Sequence, residues 1–180
     1  RAEFVGVGLD SGEKGNPPSK FTRVFAKARE HGLRIVAHAG EEGPAAYIRE
    51  ALTLLHAERI DHGVRCDEDP ALVKELAAKC IPLTVCPLSN LKLRVVKDLR
   101  EHNFAKLLRA GVHVTINSDD PSYFGGYLTD NLLASWRGLA LTENEVRAIG
   151  RNAFEASFLP AERKAALLTD YDAFWASSVA

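Results

Sequence analysis

Leu33-Arg34-Ile35-Val36-Ala37-His38-Ala39-Gly40-Glu41-Glu42-Gly43 is an apolar run that turns polar within one residue. A strand buried in a parallel sheet reads as a continuous apolar stretch, and its C-terminal end is where an α/β fold gathers ligands and catalytic groups. Ala39 and Gly40 leave room beside His38 and let the backbone turn, so that Glu41 can face the same pocket. One such strand end is equally compatible with a solvated histidine followed by an acidic turn. Fold and function therefore depend on whether other strands end alike.

Four more stretches follow the same pattern. Phe4-Val5-Gly6-Val7-Gly8-Leu9 reads as a short buried strand running into Asp10-Ser11-Gly12-Glu13, and Arg59-Ile60 leads into Asp61-His62-Gly63. Pro82-Leu83-Thr84-Val85-Cys86 is broken by Pro87 and followed by Leu88-Ser89-Asn90; Val112-His113-Val114-Thr115-Ile116 precedes Asn117-Ser118-Asp119-Asp120-Pro121. Between these runs apolar residues recur at helical spacing, as in Phe21, Val24, Phe25 and Ala28 before the stop at Gly32, or Leu72, Val73 and Leu76 after Pro70. Beyond Tyr127 the pattern is helical only, with Thr142-Glu143-Asn144-Glu145 as one helix start and Pro160 as another, whose helix reaches about residue 173.

Five βα units without repeats or linkers predict one domain over residues 1–180, with a parallel sheet and helical crossovers. An open doubly wound sheet would concentrate its ligand site at one switch point, whereas a (β/α)8 barrel brings every strand end to one face. Polar groups at all five strand ends favour the barrel. Such a barrel takes about 250 residues, so this chain is expected to hold the last five βα units and to lack the first three strands.

The composition is that of an ordinary globular domain, with 46% hydrophobic and 26% charged residues. Lys plus Arg (23) balances Asp plus Glu (24), which leaves no electrostatic footprint for nucleic acid or an anionic membrane. No apolar run approaches the roughly 20 residues of a membrane span, and no signal segment opens the chain. The expectation is a cytoplasmic protein. Cys66, Cys80 and Cys86 form an odd set without a close pair, which argues against disulfides and a zinc ribbon. The chain opens at Arg1 near a strand and contains no methionine, so it reads as a piece of a longer protein.

Taken together, the strand ends supply Gly8, His38 with Glu41, His62, Ser89 with Asn90, and Asp119 with Asp120. Neutral imidazole and carboxylate suit zinc, whose catalytic sites keep one position for a water of lowered pKa. His38 and one aspartate of the pair can be ligands, a second imidazole such as His62 can orient and deprotonate the water, and Glu41 can donate a proton from a dry pocket. Asp119 and Asp120, adjacent in a strand, would face opposite ways and take two roles. Ser89 and Asn90 fit turn chemistry as well as substrate contact. His31, His56, His102 and His113 read as structural or exposed, and Cys86 as a small buried hydrophobe.

His38-Ala39-Gly40-Glu41, Asp61-His62-Gly63, Cys86-Pro87-Leu88-Ser89-Asn90 and Ser118-Asp119-Asp120-Pro121, in this order and spacing, resemble the adenosine and adenine deaminase family of zinc-dependent (β/α)8 barrels. The resemblance covers almost the whole chain. It implies that His38 and Asp119 are zinc ligands, Glu41 the proton donor to purine N1, and His62 the group that positions and activates the water on the zinc. It further implies that Asp120 contacts purine N7 and that the Gly8 backbone donates to purine N3. Leu9-Asp10-Ser11-Gly12-Glu13 followed by Gly15-Asn16-Pro17-Pro18-Ser19-Lys20-Phe21 resembles the microbial adenine deaminase branch. That places Ser11 and Glu13 at the sugar-bearing edge of the base and implies conversion of adenine to hypoxanthine and ammonia. Adenosine or a modified adenine is the alternative substrate, and a non-catalytic piece that completes a barrel with another chain is the alternative role.

The family also uses a His-x-His pair on its first strand, and this sequence has none. With two protein ligands where catalytic zinc has at least three, the isolated chain is expected to bind metal weakly and not to turn over. The implied partners are a free purine base, the missing N-terminal part of the barrel and, left open, a second copy of the chain.

Overall fold

The computed structural model of the chain describes residues 4–178, so the ends of the expected domain at Arg1 and Ala180 lie outside the described residues. Five strands, β1 (Gly6–Leu9), β2 (Arg34–Ala39), β3 (Arg59–His62), β4 (Leu83–Val85) and β5 (Val114–Ile116), form one sheet in sequence order. All four pairings are parallel. A doubly wound sheet would reverse its strand order at a switch point; this one never does, as expected for an arc of a (β/α)8 barrel.

Helices cross between the strands: α1 (Thr22–Glu30), α2 (Ala45–Glu50), α3 (Pro70–Ala78), α4 (Pro87–Lys92) and α5 (Phe104–Arg109). After β5 come α6 (Pro121–Phe124), α7 (Leu128–Gly138), α8 (Glu143–Glu155) and α9 (Ala161–Ser178). α1, α2, α5, α7 and α8 pack against the strands, and α9 packs against α8. Along β2, Ile35, Ala37 and Ala39 are buried in the core with Ile48, Leu72, Leu76 and Leu107, while Val36 and His38 lie half-buried on the other face. Alternation thus assigns one face to packing and the other to the site.

Several sequence expectations change. Among the described residues β1 is an edge strand, with Phe4 at 73% and Val5 at 62% exposure just ahead of it, so the strand expected to be buried is open on one side. Pro87 does more than break β4. It occupies the first turn of α4, where its missing N–H costs nothing and its φ suits the helix. The helix that starts after Pro44 continues into a π-helical turn, Ala51–Leu55, which closes on a left-handed His56. α9 runs on to Ser178. Because β5 stops at Ile116, Asp119 and Asp120 stand in a loop and strand alternation does not separate them. Among the described residues no helix is long and apolar enough to cross a membrane.

Candidate functional site

The C-terminal ends of β2, β3, β4 and β5 bring four predicted residues together. His38 Nδ1 lies 3.2 Å from the Leu9 carbonyl oxygen. A carbonyl only accepts, so Nδ1 carries the ring proton and Nε2 keeps a free lone pair. Asp10 Oδ1 at 3.4 Å and Asp61 Oδ2 at 3.9 Å face the same Nδ1 and support that proton. Asp61 is itself held by the Thr84 hydroxyl across the sheet.

His62 reaches the site only because the backbone departs from strand geometry. The register sets His38 opposite Asp61 and Ala39 opposite His62, so regular alternation would send the His62 ring to the packed face with Ala39. His62 instead takes a left-handed conformation, φ 61°, and its ring centroid stands 4.8 Å from that of His38. Its Nδ1 is 3.2 Å from Glu41 Oε1, and its Nε2 is 3.9 Å from Asp119 Oδ2. Asp119 is also left-handed, φ 57°. Two such residues in one pocket store strain of order 1–3 kcal/mol each, a cost usually met where side chains must be aimed.

Electrostatics separates the groups further. Glu41 is buried, and that burial, followed by the Asp119 and Glu13 carboxylates, pushes its pKa up to about 7. His62 is pushed down to about 4, by burial first and His38 second, and so is neutral at physiological pH. A carboxyl that keeps a proton near neutrality beside an imidazole that remains free to accept one is an acid–base pair. Ser89 Oγ donates to Asp119 Oδ2 at 2.6 Å and fixes that carboxylate.

Glu13, expected at the substrate edge, is buried. Its Oε2 accepts from the Gly40 and Gly43 amides at 2.9 and 2.8 Å, and its Oε1 from the Glu41 amide at 2.9 Å. Its carboxylate therefore holds the loop that carries Glu41. Ser11 and His38 line one cavity of about 420 Å³ together with Leu9, Asp10 and Phe21. Gly8, one residue before the strand end, sits so close to β2 that a Cβ would meet Val36 Cγ2 at 3.1 Å. Asp120 is exposed, its amide donating to Asp119 Oδ1 at 2.9 Å.

Two further residues belong to the site. Asn90 Nδ2 donates to Glu41 Oε1 at 2.6 Å, and His102 Nε2 lies 3.1 Å from Asn90 Oδ1. Both are buried. The Ser89-Asn90 pair after Pro87 carried a signal open to either a turn or a contact; His102 carried none.

A free imidazole lone pair on His38 and a carboxylate on Asp119 suit zinc. A second grouping, His62, Cys86 and Asp119, has ligand atoms within 4.8 Å of one another. Cys86 is the weaker donor: its thiol faces the Thr84 carbonyl at 3.7 Å, and burial, then Asp119, raises its pKa, so it stays protonated.

The sequence profile of the adenosine deaminase family matches residues 1–174. Adenine deaminase of Trichlorobacter lovleyi is 61% identical over 176 residues, which is 97% of this chain and 50% of that protein. The Cupriavidus necator adenine deaminase is 58% identical over 177 residues, 98% of this chain and 50% of that protein. The chain thus spans about half the length of the curated relatives it matches. The crystal structure of adenine deaminase from Arthrobacter aurescens superposes with a TM-score of 0.92 at 51% identity, over 96% of this chain and 53% of that one. An amidohydrolase from Burkholderia ambifaria solved with bound zinc has a TM-score of 0.92 at 25% identity, over 98% of this chain and 50% of that one.

Proposed function

Because the chain belongs to the adenosine deaminase family, we propose that its site performs the hydrolytic deamination of adenine to hypoxanthine and ammonia, within a barrel completed by a segment preceding these five units. The observation that carries this reading is the convergence of a protonatable Glu41, a neutral His62 and Asp119 at one end of the sheet. Adenine is favoured over adenosine or a methylated nucleotide by the relatives. Those 51–61% identical are named adenine deaminase, whereas the N6-methyl-AMP deaminase of Arabidopsis thaliana is 26% identical with a TM-score of 0.80.

His38 Nε2 and the Asp119 carboxylate would hold zinc, as the zinc-bound amidohydrolase supports, with the remaining ligands coming from outside this chain. Bound there, the metal would supply the lowered water pKa that makes water a nucleophile near neutral pH. His62, desolvated and neutral, takes the proton of the attacking water at the nitrogen facing Asp119. Glu41 delivers its proton to the ring nitrogen next to the carbon under attack, His62 passes the water's proton to the exocyclic amine, and as the amine leaves as ammonia the new hydroxyl returns a proton to Glu41 and becomes the carbonyl. Burial of Glu41 and His62 excludes bulk water from both transfers. Family resemblance supports Asp120 and the Gly8 backbone as purine contacts, and the cavity that Ser11 shares with His38 supports its position at the substrate edge. Glu13 acts one step back, through the loop of Glu41.

The test is turnover by the full-length protein, or by this chain joined with the half its relatives carry, on adenine and adenosine in parallel. Adenine is expected to be turned over faster; faster turnover of adenosine would overturn the substrate assignment.

A further inference from the structure

Behind Glu41 lies a hydrogen-bond chain whose direction is set by a backbone amide. The Phe104 N–H donates to His102 Nδ1 at 3.0 Å. An amide nitrogen cannot accept, so His102 Nδ1 has no proton, and the neutral ring carries its hydrogen on Nε2. Burial, which pushes this imidazole down to about 4, keeps it neutral at physiological pH. Nε2–H therefore donates to the Asn90 atom 3.1 Å away, which has to be Oδ1. The Asn90 amide is oriented in turn, and its Nδ2 donates to Glu41 Oε1, 2.6 Å away. Oε1 of Glu41 is thus an acceptor. A carboxyl that accepts on one oxygen carries its acidic hydrogen on the other.

We propose that His102 and Asn90 are positioning residues that keep the acidic hydrogen of Glu41 on Oε2 and so aim it at the substrate. The relay rests on the reading of Glu41 as proton donor. It spans three separate elements, with Glu41 after β2, Asn90 in α4 and His102 ahead of α5, and both relay residues are buried. Without the Asn90 donor nothing holds the hydrogen on Oε2, and a complex with it on Oε1 presents a lone pair where the reaction needs a donor. Without His102 the Asn90 amide could flip and present its oxygen to Glu41.

A merely structural role for His102 makes the opposite prediction to a relay. Its Nδ1 caps the amide at the start of α5, and His102→Asn retains an acceptor there but loses the distal donor. His102→Gln retains an N–H near the position of Nε2 and loses the cap. In the full-length, metal-loaded protein acting on adenine, His102→Gln is expected to stay within about 3-fold of wild-type kcat. His102→Asn should lower kcat about 10–100-fold, part of the general-acid contribution, with KM within about 3-fold. Equal losses in both, or a larger loss in His102→Gln, would overturn the relay and leave His102 a cap. The tautomer of His102, read by 15N NMR of the wild-type ring at neutral pH, is a second measurement independent of turnover and of how the variants fold. A neutral ring protonated at Nε2 supports the proposal; a proton on Nδ1 overturns it. A wild-type protein inert on adenine would remove the deaminase reading, and the ring tautomer would still decide the relay.

Discussion

His62, His102 and Glu41 are all buried, and burial moves their pKa values in opposite senses, which makes stability a readout of the site. Both imidazoles are pushed from the ordinary 6.5 down to about 4, chiefly by desolvation, while Glu41 is pushed from 4.5 up to about 7. The unfolded chain binds protons on the two histidines below about 6.5 where the folded chain does not, so their contribution is present above 6.5 and lost as pH falls toward 4. Glu41 runs the other way: its contribution is complete below 4.5 and is lost as pH rises through 7. Between 4.5 and 6.5 two groups oppose one, and acidification should weaken the metal-free protein. His102→Gln removes one of the two. The wild-type-minus-variant difference in unfolding free energy is expected to shrink by about 2–3 kcal/mol on going from pH 6.5 to 4.5. Denaturant titrations at the two pH values check this, and a pH-independent difference would mean that His102 titrates normally.

At the scale of elements, the turn that ends β2 is the most constrained piece of the chain. Gly40 has φ +77°, and a Cβ there would meet Ile48 Cδ1 at 2.5 Å, in the middle of the buried face of α2. The glycine permits both the turn that swings Glu41 back over the sheet and the close seating of α2 beneath it. Gly40→Ala combines a left-handed alanine with an overpacked core and should cost about 2–4 kcal/mol, measured as a lower denaturation midpoint. A midpoint equal to wild type would show that the turn relaxes freely. The capping box of α8 was legible beforehand, because Thr142 and Glu145 sit at the spacing that lets each side chain bond the other's backbone amide. α4 was not: proline after a strand signals both a break and a helix start, and only the packing of α4 against α7, where Asn131 Oδ1 accepts from the Leu88 amide, selects the second.

At the scale of the whole molecule, the sheet has an unpaired edge. β1 and the two residues ahead of it expose Phe4, Val5 and Val7, and a cavity of about 430 Å³ lined by Phe4, Val7, His31 and Leu33 lies beside them. An open, apolar strand edge templates association. The isolated 180-residue chain is therefore expected to self-associate and to hold zinc below one ion per chain, since His38 and Asp119 are two ligands where three are usual. Joined with the half its relatives carry, it should become fully loaded. Light scattering and metal analysis on both forms measure this; a monomeric isolated chain with stoichiometric zinc would show that it needs no such completion.

Sequence alone determined the parallel α/β class and the five polar strand ends, and it singled out His38, Glu41, His62 and Asp119, which the structure brings together. Buried strands need continuous apolar runs, and a sudden polar residue at the end of each one has no packing reason to be there. Tertiary structure alone decided how those residues act together. The left-handed backbone of His62 turns its ring onto the face of His38. Glu13 is brought across the sheet onto the Glu41 loop, and His102 and Asn90 are brought up behind Glu41. These partners are separated along the chain by whole helices and strands, and a hydrogen bond depends on direction, which residue spacing does not encode.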